Sequence, residues 1–271
     1  MIKMIKKLNI FRWIFQTIGT ILPNLNYRLF TAGQSLYQGP LKKCVTLNFN
    51  CYSCPLSTSA CPIGSMQHFV ATKTIPFYVV GSMVVYGSLF GRAICGWFCP
   101  MGLFQDLLSK ITKFRLKIPK LFEYMKYFWL VVVSIFIVYF TGETWFCKLC
   151  PVGGLQAGIP QVLLDPDLRT IIGTLFAIKM VIVGIFIVSS IIINRPYCRY
   201  MCPLGAIYSL FNRFSLVKIS FNETKCTFCS LCAKKCPVDI NPIFDYNSTI
   251  CIRCMECVRV CQTNALKIKV L

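Results

Sequence analysis

Eight cysteines near the C-terminus set the tightest constraint on this chain. They read Cys226-x2-Cys229-x2-Cys232-x3-Cys236-Pro237, then Cys251-x2-Cys254-x2-Cys257-x3-Cys261. Zinc sites take pairs of ligands, not two copies of a triplet with a trailing C-x3-C. The doubled run suits two iron–sulfur cubes, the fourth cysteine of each run ligating the other run's cube. That spacing assigns Cys226, Cys229, Cys232 and Cys261 to one [4Fe-4S] cluster, and Cys251, Cys254, Cys257 and Cys236 to the other. One position departs from the pattern: Gln262 follows Cys261 where the first run has Pro237.

The rest of the chain sets the class. Of 271 residues, 56% are hydrophobic, and the mean hydropathy is +0.62, too apolar for an ordinary soluble domain. Apolar runs at 9–30, 67–90, 122–141 and 171–193 each approach the roughly 20 residues that cross a hydrocarbon core. Phe128 to Phe140 and Met180 to Ile193 are the clearest. Pro23, Asn24 and Asn26 interrupt the first run, which either spans or lies flat as an amphipathic helix. Lys73 and Pro76 mark the second for a break at its outer end. Met1 to Lys7 is basic and no small-residue cleavage site follows, so the first run reads as an uncleaved membrane helix. The expected fold is mainly α. A four-helix membrane domain built from two repeats covers 1–222, and an α+β two-cluster ferredoxin-like module covers 223–271.

A formal charge of +20 would suggest nucleic acid, but it counts every cysteine as neutral, and cluster ligands are thiolates. No nucleic-acid partner is expected. The basic residues follow membrane topology instead. Lys3, Lys6, Lys7 and Arg12 precede the first run; Arg92, Lys110, Lys113, Arg115, Lys117, Lys120 and Lys126 separate the second and third; Arg195, Arg199, Arg213 and Lys218 follow the fourth. The other connections hold only Arg28, Lys42 and Lys43, then Lys148 and Arg169. By the positive-inside rule the chain is a multi-pass protein of the cytoplasmic membrane, with its module and C-terminus on the cytoplasmic side and lipid as its solvent.

A second cysteine motif occurs four times. Cys61-Pro62-Ile63-Gly64-Ser65-Met66-Gln67 matches Cys99-Pro100-Met101-Gly102-Leu103-Phe104-Gln105 and Cys150-Pro151-Val152-Gly153-Gly154-Leu155-Gln156. The fourth copy, Cys202-Pro203-Leu204-Gly205-Ala206-Ile207-Tyr208, ends on tyrosine. Each copy has an upstream cysteine: Cys54, Cys95, Cys147 and Cys198. Cys95, Cys99, Cys198 and Cys202 fall on the cytoplasmic side and supply four thiolates, enough for one [4Fe-4S] cube. Cys54, Cys61, Cys147 and Cys150 fall on the outer side, beside Cys44 and Cys51. The six outer cysteines admit three disulfides, or one further cluster and a spare pair. Proline after each cysteine suits a first helical turn, whose free N–H groups favour a negative cluster. One or two clusters at the membrane faces would join the module into an electron wire.

His68 is the only histidine. With Gln67 and Lys73 it sits near the outer interface, where a quinone needs hydrogen bonding and a proton acceptor. These three are the candidate quinone-site residues. One histidine excludes bis-His haem, and no C-x-x-C-H appears.

The paired Cys95-x3-Cys99-Pro100 and Cys198-x3-Cys202-Pro203, the four apolar segments and the doubled C-terminal run resemble the NapH family, from about Gly91 onward. The C-terminal part of NosR is similar. The resemblance implies a membrane-bound quinol dehydrogenase-type subunit that passes electrons through iron–sulfur centres toward a respiratory reductase, with redox partner subunits. The extra outer cysteines depart from that pattern and strengthen the wire. Two alternatives stand beside quinone exchange: a passive conduit inside a larger complex, and a redox-sensing or maturation accessory protein.

Overall fold

The computed structural model describes residues 2–26, 36–112, 114–116, 118–170 and 172–270, with side chains described from Ile10 onward except Lys120. Lys3, Lys6, Lys7, Arg28, Lys113, Lys117 and Lys120, used above for sidedness, lie outside the described side chains.

Helix α1, Ile2–Ile21, opens the chain. Helices α2, Pro62–Ala71, and α3, Phe77–Phe90, divide the second apolar run. The break falls where the sequence places it, at Lys73, whose φ is 55°, and Pro76. Helices α4, Ala93–Trp97, and α5, Pro100–Leu108, flank Cys99. A continuous helical rod α6, Leu121–Thr141, follows. Its middle, Trp129–Phe136, is wound as a π-helix, and Gly142 in the left-handed region ends it. Then come α7, Trp145–Leu149, a helical return α8 over 151–164, α9, Thr174–Ile192, and α10, Pro203–Phe211.

Among the described residues two helices, α6 and α9, are long and apolar enough to cross a membrane. The expectation of four is not met in that form. The Lys73–Pro76 break leaves α3 with 14 residues, a reach of roughly 21 Å against a core of about 30 Å. The N-terminal helix packs instead on α4, α5 and the C-terminal module. Its Gly19 lies so close to the Phe98 carbonyl that a Cβ would come within 2.3 Å.

The chain after α6 does not stay at the end of that helix. It folds back along α9: Gly154 lies against Val183, where a Cβ would meet the valine at 2.4 Å. Phe146 of α7 makes an edge contact with Trp129, at the start of the π-wound middle of α6. The motif around Cys150 therefore lies beside the middle of α9.

The C-terminal module carries strands β1, Val217–Phe221, and β2, Leu266–Val270, paired antiparallel from Val217↔Val270 to Phe221↔Leu266. The short helices α11, Leu231–Lys234, and α12, Glu256–Val260, pack together between them. The strand pair ties 217–221 to the module, ahead of the 222/223 boundary.

The module is fastened to the helical part through buried polar groups. Asn212 Nδ2 donates to the carbonyls of Ser248 and Cys251 at 2.8 and 2.7 Å. The Arg253 guanidinium donates to Ser215, Val217 and Asn212. Trp97 Nε1 donates to the Arg253 carbonyl at 3.0 Å. Arg12 pairs with Asp106 and Glu256, joining α1, α5 and α12. Burial alone would raise the Asp106 carboxyl, but the Arg195 and Arg12 guanidiniums outweigh it and hold that group below the usual range.

Four cysteine quartets as candidate cluster sites

Sixteen of the eighteen cysteines fall into four sets, each lining its own cavity. In the module, Cys226, Cys229, Cys232 and Cys261 line one cavity, and Cys236, Cys251, Cys254 and Cys257 line another. The two runs wind alike. Residues two and four places after the first cysteine of each run, Phe228 and Ser230, then Arg253 and Met255, all take positive φ. Left-handed backbone at non-glycine residues costs roughly 1–3 kcal/mol each. Its recurrence at equivalent positions wraps the backbone around each cavity, and Phe228 N–H points at the Cys226 sulfur at 3.4 Å.

The inner quartet, Cys95, Cys99, Cys198 and Cys202, surrounds a small enclosed cavity. The outer quartet is Cys51, Cys61, Cys147 and Cys150, on the wall of a larger opening of about 480 Å³. Pairing by the repeat alone puts Cys54 with Cys61; the structure puts Cys51 there. The Cys51 N–H donates to Gln156 Oε1 at 2.9 Å, which draws its loop onto the motif around Cys150. Cys54 is buried away from that opening, and Cys44 lines a different cavity. No disulfide joins the described cysteines, all of which are free thiols.

The repeated motif has one geometry at all four sites. Each of Cys61, Cys99, Cys150 and Cys202 is an extended residue just ahead of a helix whose first position is proline. In the fourth copy the N–H of the motif glycine turns back to the cysteine sulfur, Gly205 to Cys202 Sγ at 3.2 Å. The glycine also leaves room for the opposite half. A Cβ on Gly102 would come within 3.4 Å of Arg195 Nη1 from the other half, and one on Gly205 within 3.4 Å of Arg92 Nη2.

Sequence reading missed two arginines. Arg92 Nη2 donates to the Cys198 carbonyl at 2.7 Å, and Arg195 Nη1 donates to the Cys95 carbonyl at 3.1 Å. Each stands three residues before the first cysteine of its own half and reaches the first cysteine of the other. The longer repeat R-x2-C-x3-C-P-x-G held the signal, but both residues had been counted only as topology charges. Both are fully buried. Arg92 also donates to the carbonyls of Thr249 and Ile250 in the module. The motif glutamines tie the halves together as well. Gln105 accepts from Tyr197 N–H and donates to Cys198 Sγ at 3.2 Å, and Tyr208, in the fourth copy, donates to the Leu47 carbonyl.

The quartets are near neighbours. Phe49 lines both the outer and inner cavities. Tyr197 lines the inner cavity while its hydroxyl lies 3.6 Å from Cys150 Sγ of the outer quartet. The expectation of one quartet at each membrane face, a bilayer apart, is corrected here, because α7 and α8 fold back along α9. Beyond the inner quartet, a Cβ on Gly96 would meet the Ile252 carbonyl at 2.5 Å, and the next contact is with Cys254 of the module.

The three candidate quinone residues are not brought together. Gln67 is fully buried with both amide atoms unpartnered, His68 is exposed, and Lys73 is exposed with its ammonium over the Tyr139 ring at 5.8 Å.

The donor sets fit iron–sulfur cubes. A cube offers one iron to each of four thiolates, and each cavity presents four thiols around an open centre. Among the described residues no three Cys, His, Asp or Glu side chains converge as on a single metal ion. In the module, burial and the neighbouring Cys254 and Cys251 push the Cys236 thiol up to about 12. Lys179, a cation inside the apolar α9, faces the outer quartet: a Cβ on Gly153 would lie 3.7 Å from both Lys179 Nζ and Cys51 Sγ. An ionisable residue in such a helix points to a charged partner.

Comparison with known proteins agrees with this chemistry. Residues 74–119, 126–164 and 175–222 match one 4Fe-4S binding domain model, and 219–240 and 244–267 match a second. The uncharacterized protein MJ0750 of Methanocaldococcus jannaschii is 28% identical over 218 residues, covering 76% of this chain and 84% of its own. The putative electron transport protein YccM of Escherichia coli is 25% identical over 216 residues, 73% of this chain and 58% of its own. The regulatory protein NosR of Stutzerimonas stutzeri is 29% identical over 176 residues, 62% of this chain and 23% of NosR. No solved structure matches. With both domain models and these relatives, the chain belongs to the NapH-like, NosR-related ferredoxin-type 4Fe-4S proteins of electron transport.

Proposed function

We propose that this chain is a membrane-embedded electron relay holding four [4Fe-4S] clusters in series, one per quartet, and exchanging electrons between the quinone pool and a redox partner that meets the C-terminal module. The carrying observation is that sixteen cysteines line four cavities, with neighbouring cavities separated by single side chains or one backbone contact. Bound clusters would supply one-electron transfer; the chain's residues do the rest. Arg92 and Arg195 place two buried cations at the inner quartet, and Lys179 one at the outer. These offset thiolate and cluster charge where the surroundings are of low dielectric. At the inner quartet the Gly205 N–H also donates to Cys202 Sγ.

Membrane insertion is supported by the outward faces of the long helices. Val181, Ile185 and Val188 on α9 and Phe136 and Phe140 on α6 are exposed, an apolar surface larger than a soluble protein ordinarily leaves bare. The basic residues that precede α6 and follow α9 support a cytoplasmic side for the module. The passive-conduit reading keeps the clusters and drops quinone exchange, and the dispersed positions of Gln67, His68 and Lys73 favour it over a quinone site at His68.

Iron and acid-labile sulfide per chain, on anaerobically purified protein, test the relay. About sixteen of each is expected; about eight would mean clusters in the module alone and end the relay reading. Reduction of the clusters by a soluble quinol tests the exchange, and no spectral change with quinol or quinone analogues would remove it.

A further inference from the structure

The two ends of the C-terminal module are wound alike and meet different surroundings. Around the second run every residue from Cys251 to Met255 is buried. The fully buried Arg253 fastens that end to the helical part. Around the first run Thr227, Phe228, Cys229 and Ser230 are all exposed. Of the sixteen quartet cysteines, Cys229 alone is exposed. Phe228 occupies the position of Arg253, with φ 50° against 48°. Left-handed backbone at a bulky residue is costly, and the ring gains no burial in return, being 58% exposed. Leu231, the first residue of α11, is 37% exposed. Lys225, Lys234 and Lys235 are exposed around them. The Lys234 and Lys235 N–H groups donate to the Ser230 and Leu231 carbonyls, both at 3.1 Å, so the two lysines stand one turn beyond the Cys229 loop. Glu223 is the one carboxylate between residues 222 and 236.

We infer that this end of the module is the docking face for a small acidic one-electron carrier protein. Phe228 and Leu231 form its apolar centre, and the three lysines form a basic rim for the carrier's carboxylates. An apolar centre inside a charged rim is the layout of a protein interface, and rim charges of one sign steer and select a partner of the other. The equivalent end, at Arg253, is already an interface, covered by the helical part. The exposed Cys229 makes this face the way out of the relay. A cluster held by Cys226, Cys229, Cys232 and Cys261 would exchange one electron with the carrier, one centre oxidised as the other is reduced, with no proton transferred. This face rests on the relay reading and names the class of its soluble partner.

The probe is an acidic plant-type [2Fe-2S] ferredoxin, its dissociation constant measured on the full iron-loaded chain in phosphatidylcholine nanodiscs. Basic cytochrome c is the control for sign. The parent is expected to bind the ferredoxin, more weakly as salt rises, and not the cytochrome. Lys225→Glu, Lys234→Glu and Lys235→Glu together weaken binding about a hundred-fold. Phe228→Asn weakens it about ten-fold; asparagine tolerates left-handed backbone, so the ring goes without straining the loop. Lys110→Glu with Arg213→Glu, exposed cations of the helical part, leaves it unchanged. Iron per chain equals the parent's in every variant. Parent-like affinity in the lysine and Phe228 variants, an equal loss in the Lys110 and Arg213 variant, preference for the cytochrome, or no binding by the parent overturns the face. Loss of ferredoxin binding when phosphatidylglycerol enters the disc assigns the lysines to lipid headgroups and overturns it too. So does a dimer of the chain that Phe228→Asn separates. The parent's iron and sulfide content decides the relay reading separately.

Discussion

The inner and outer quartets use the same C-P-x-G turn and differ in almost everything around it. The inner one is a true exchange between halves: two C-x3-C pairs, two arginines crossing reciprocally, and a small closed cavity. The outer one takes Cys51 from a loop ahead of the motif, has one lysine, and opens into a wide cleft. The symmetric site is built by repetition of one motif; the asymmetric one needs a contribution that repetition does not supply. Access differs too: the outer cysteines line the wide cleft directly, while the inner ones face only a small closed cavity.

The comparison breaks most sharply at its ligands. Cys198→Ser and Cys150→Ser are each expected to remove about four iron atoms per chain from the parent content, measured together with acid-labile sulfide. Retention of all iron in either variant would mean that quartet holds no cluster.

Next comes the asymmetric ligand. Cys51→Ser should lose the outer cluster's iron and Cys54→Ser should lose none. The reverse result would restore the pairing by repeat and remove the contrast between the sites. Charge gives a smaller effect. Lys179→Met should lower the potential of one cluster, because removing a nearby cation disfavours the added electron. Arg195→Leu should lower that of another and also weaken the fold by roughly 1–3 kcal/mol, through the stranded Cys95 carbonyl. Redox titration followed by electron paramagnetic resonance separates the two; a common shift in both variants would deny that the quartets are distinct. The smallest effect is on acid stability. The depressed Asp106 carboxyl adds stability that is fully present above the ordinary aspartate range, about 3.9, and is lost as pH falls through its lower folded value. Asp106→Asn should flatten the acid limb of unfolding, and an unchanged limb would mean that Arg12 and Arg195 carry no net coupling to it.

What could be read from the sequence followed from local chemistry. The break at Lys73–Pro76, the proline-started helices after cysteine and the long apolar helix α9 depend on neighbours in the chain. The location of Cys51 did not, because it is set by Gln156 more than a hundred residues away. The fold-back of α7 and α8 was hidden for a related reason: a run after a membrane helix reads as an outer connection whether it stays outside or returns along its neighbour. Arg92 and Arg195 were visible as charges but not as a crossed pair, since their partners are backbone carbonyls, which any residue type supplies.

Tyr197, standing between the outer and inner quartets, has an electrostatic consequence. Two clusters separated by one side chain in a poorly polarisable interior feel each other's charge strongly. With a cluster in each quartet, reduction of one would make the second resist its own electron. The pair would therefore pass electrons singly even when a donor releases two together, so that the spacing of the relay, rather than either end of it, meters the current.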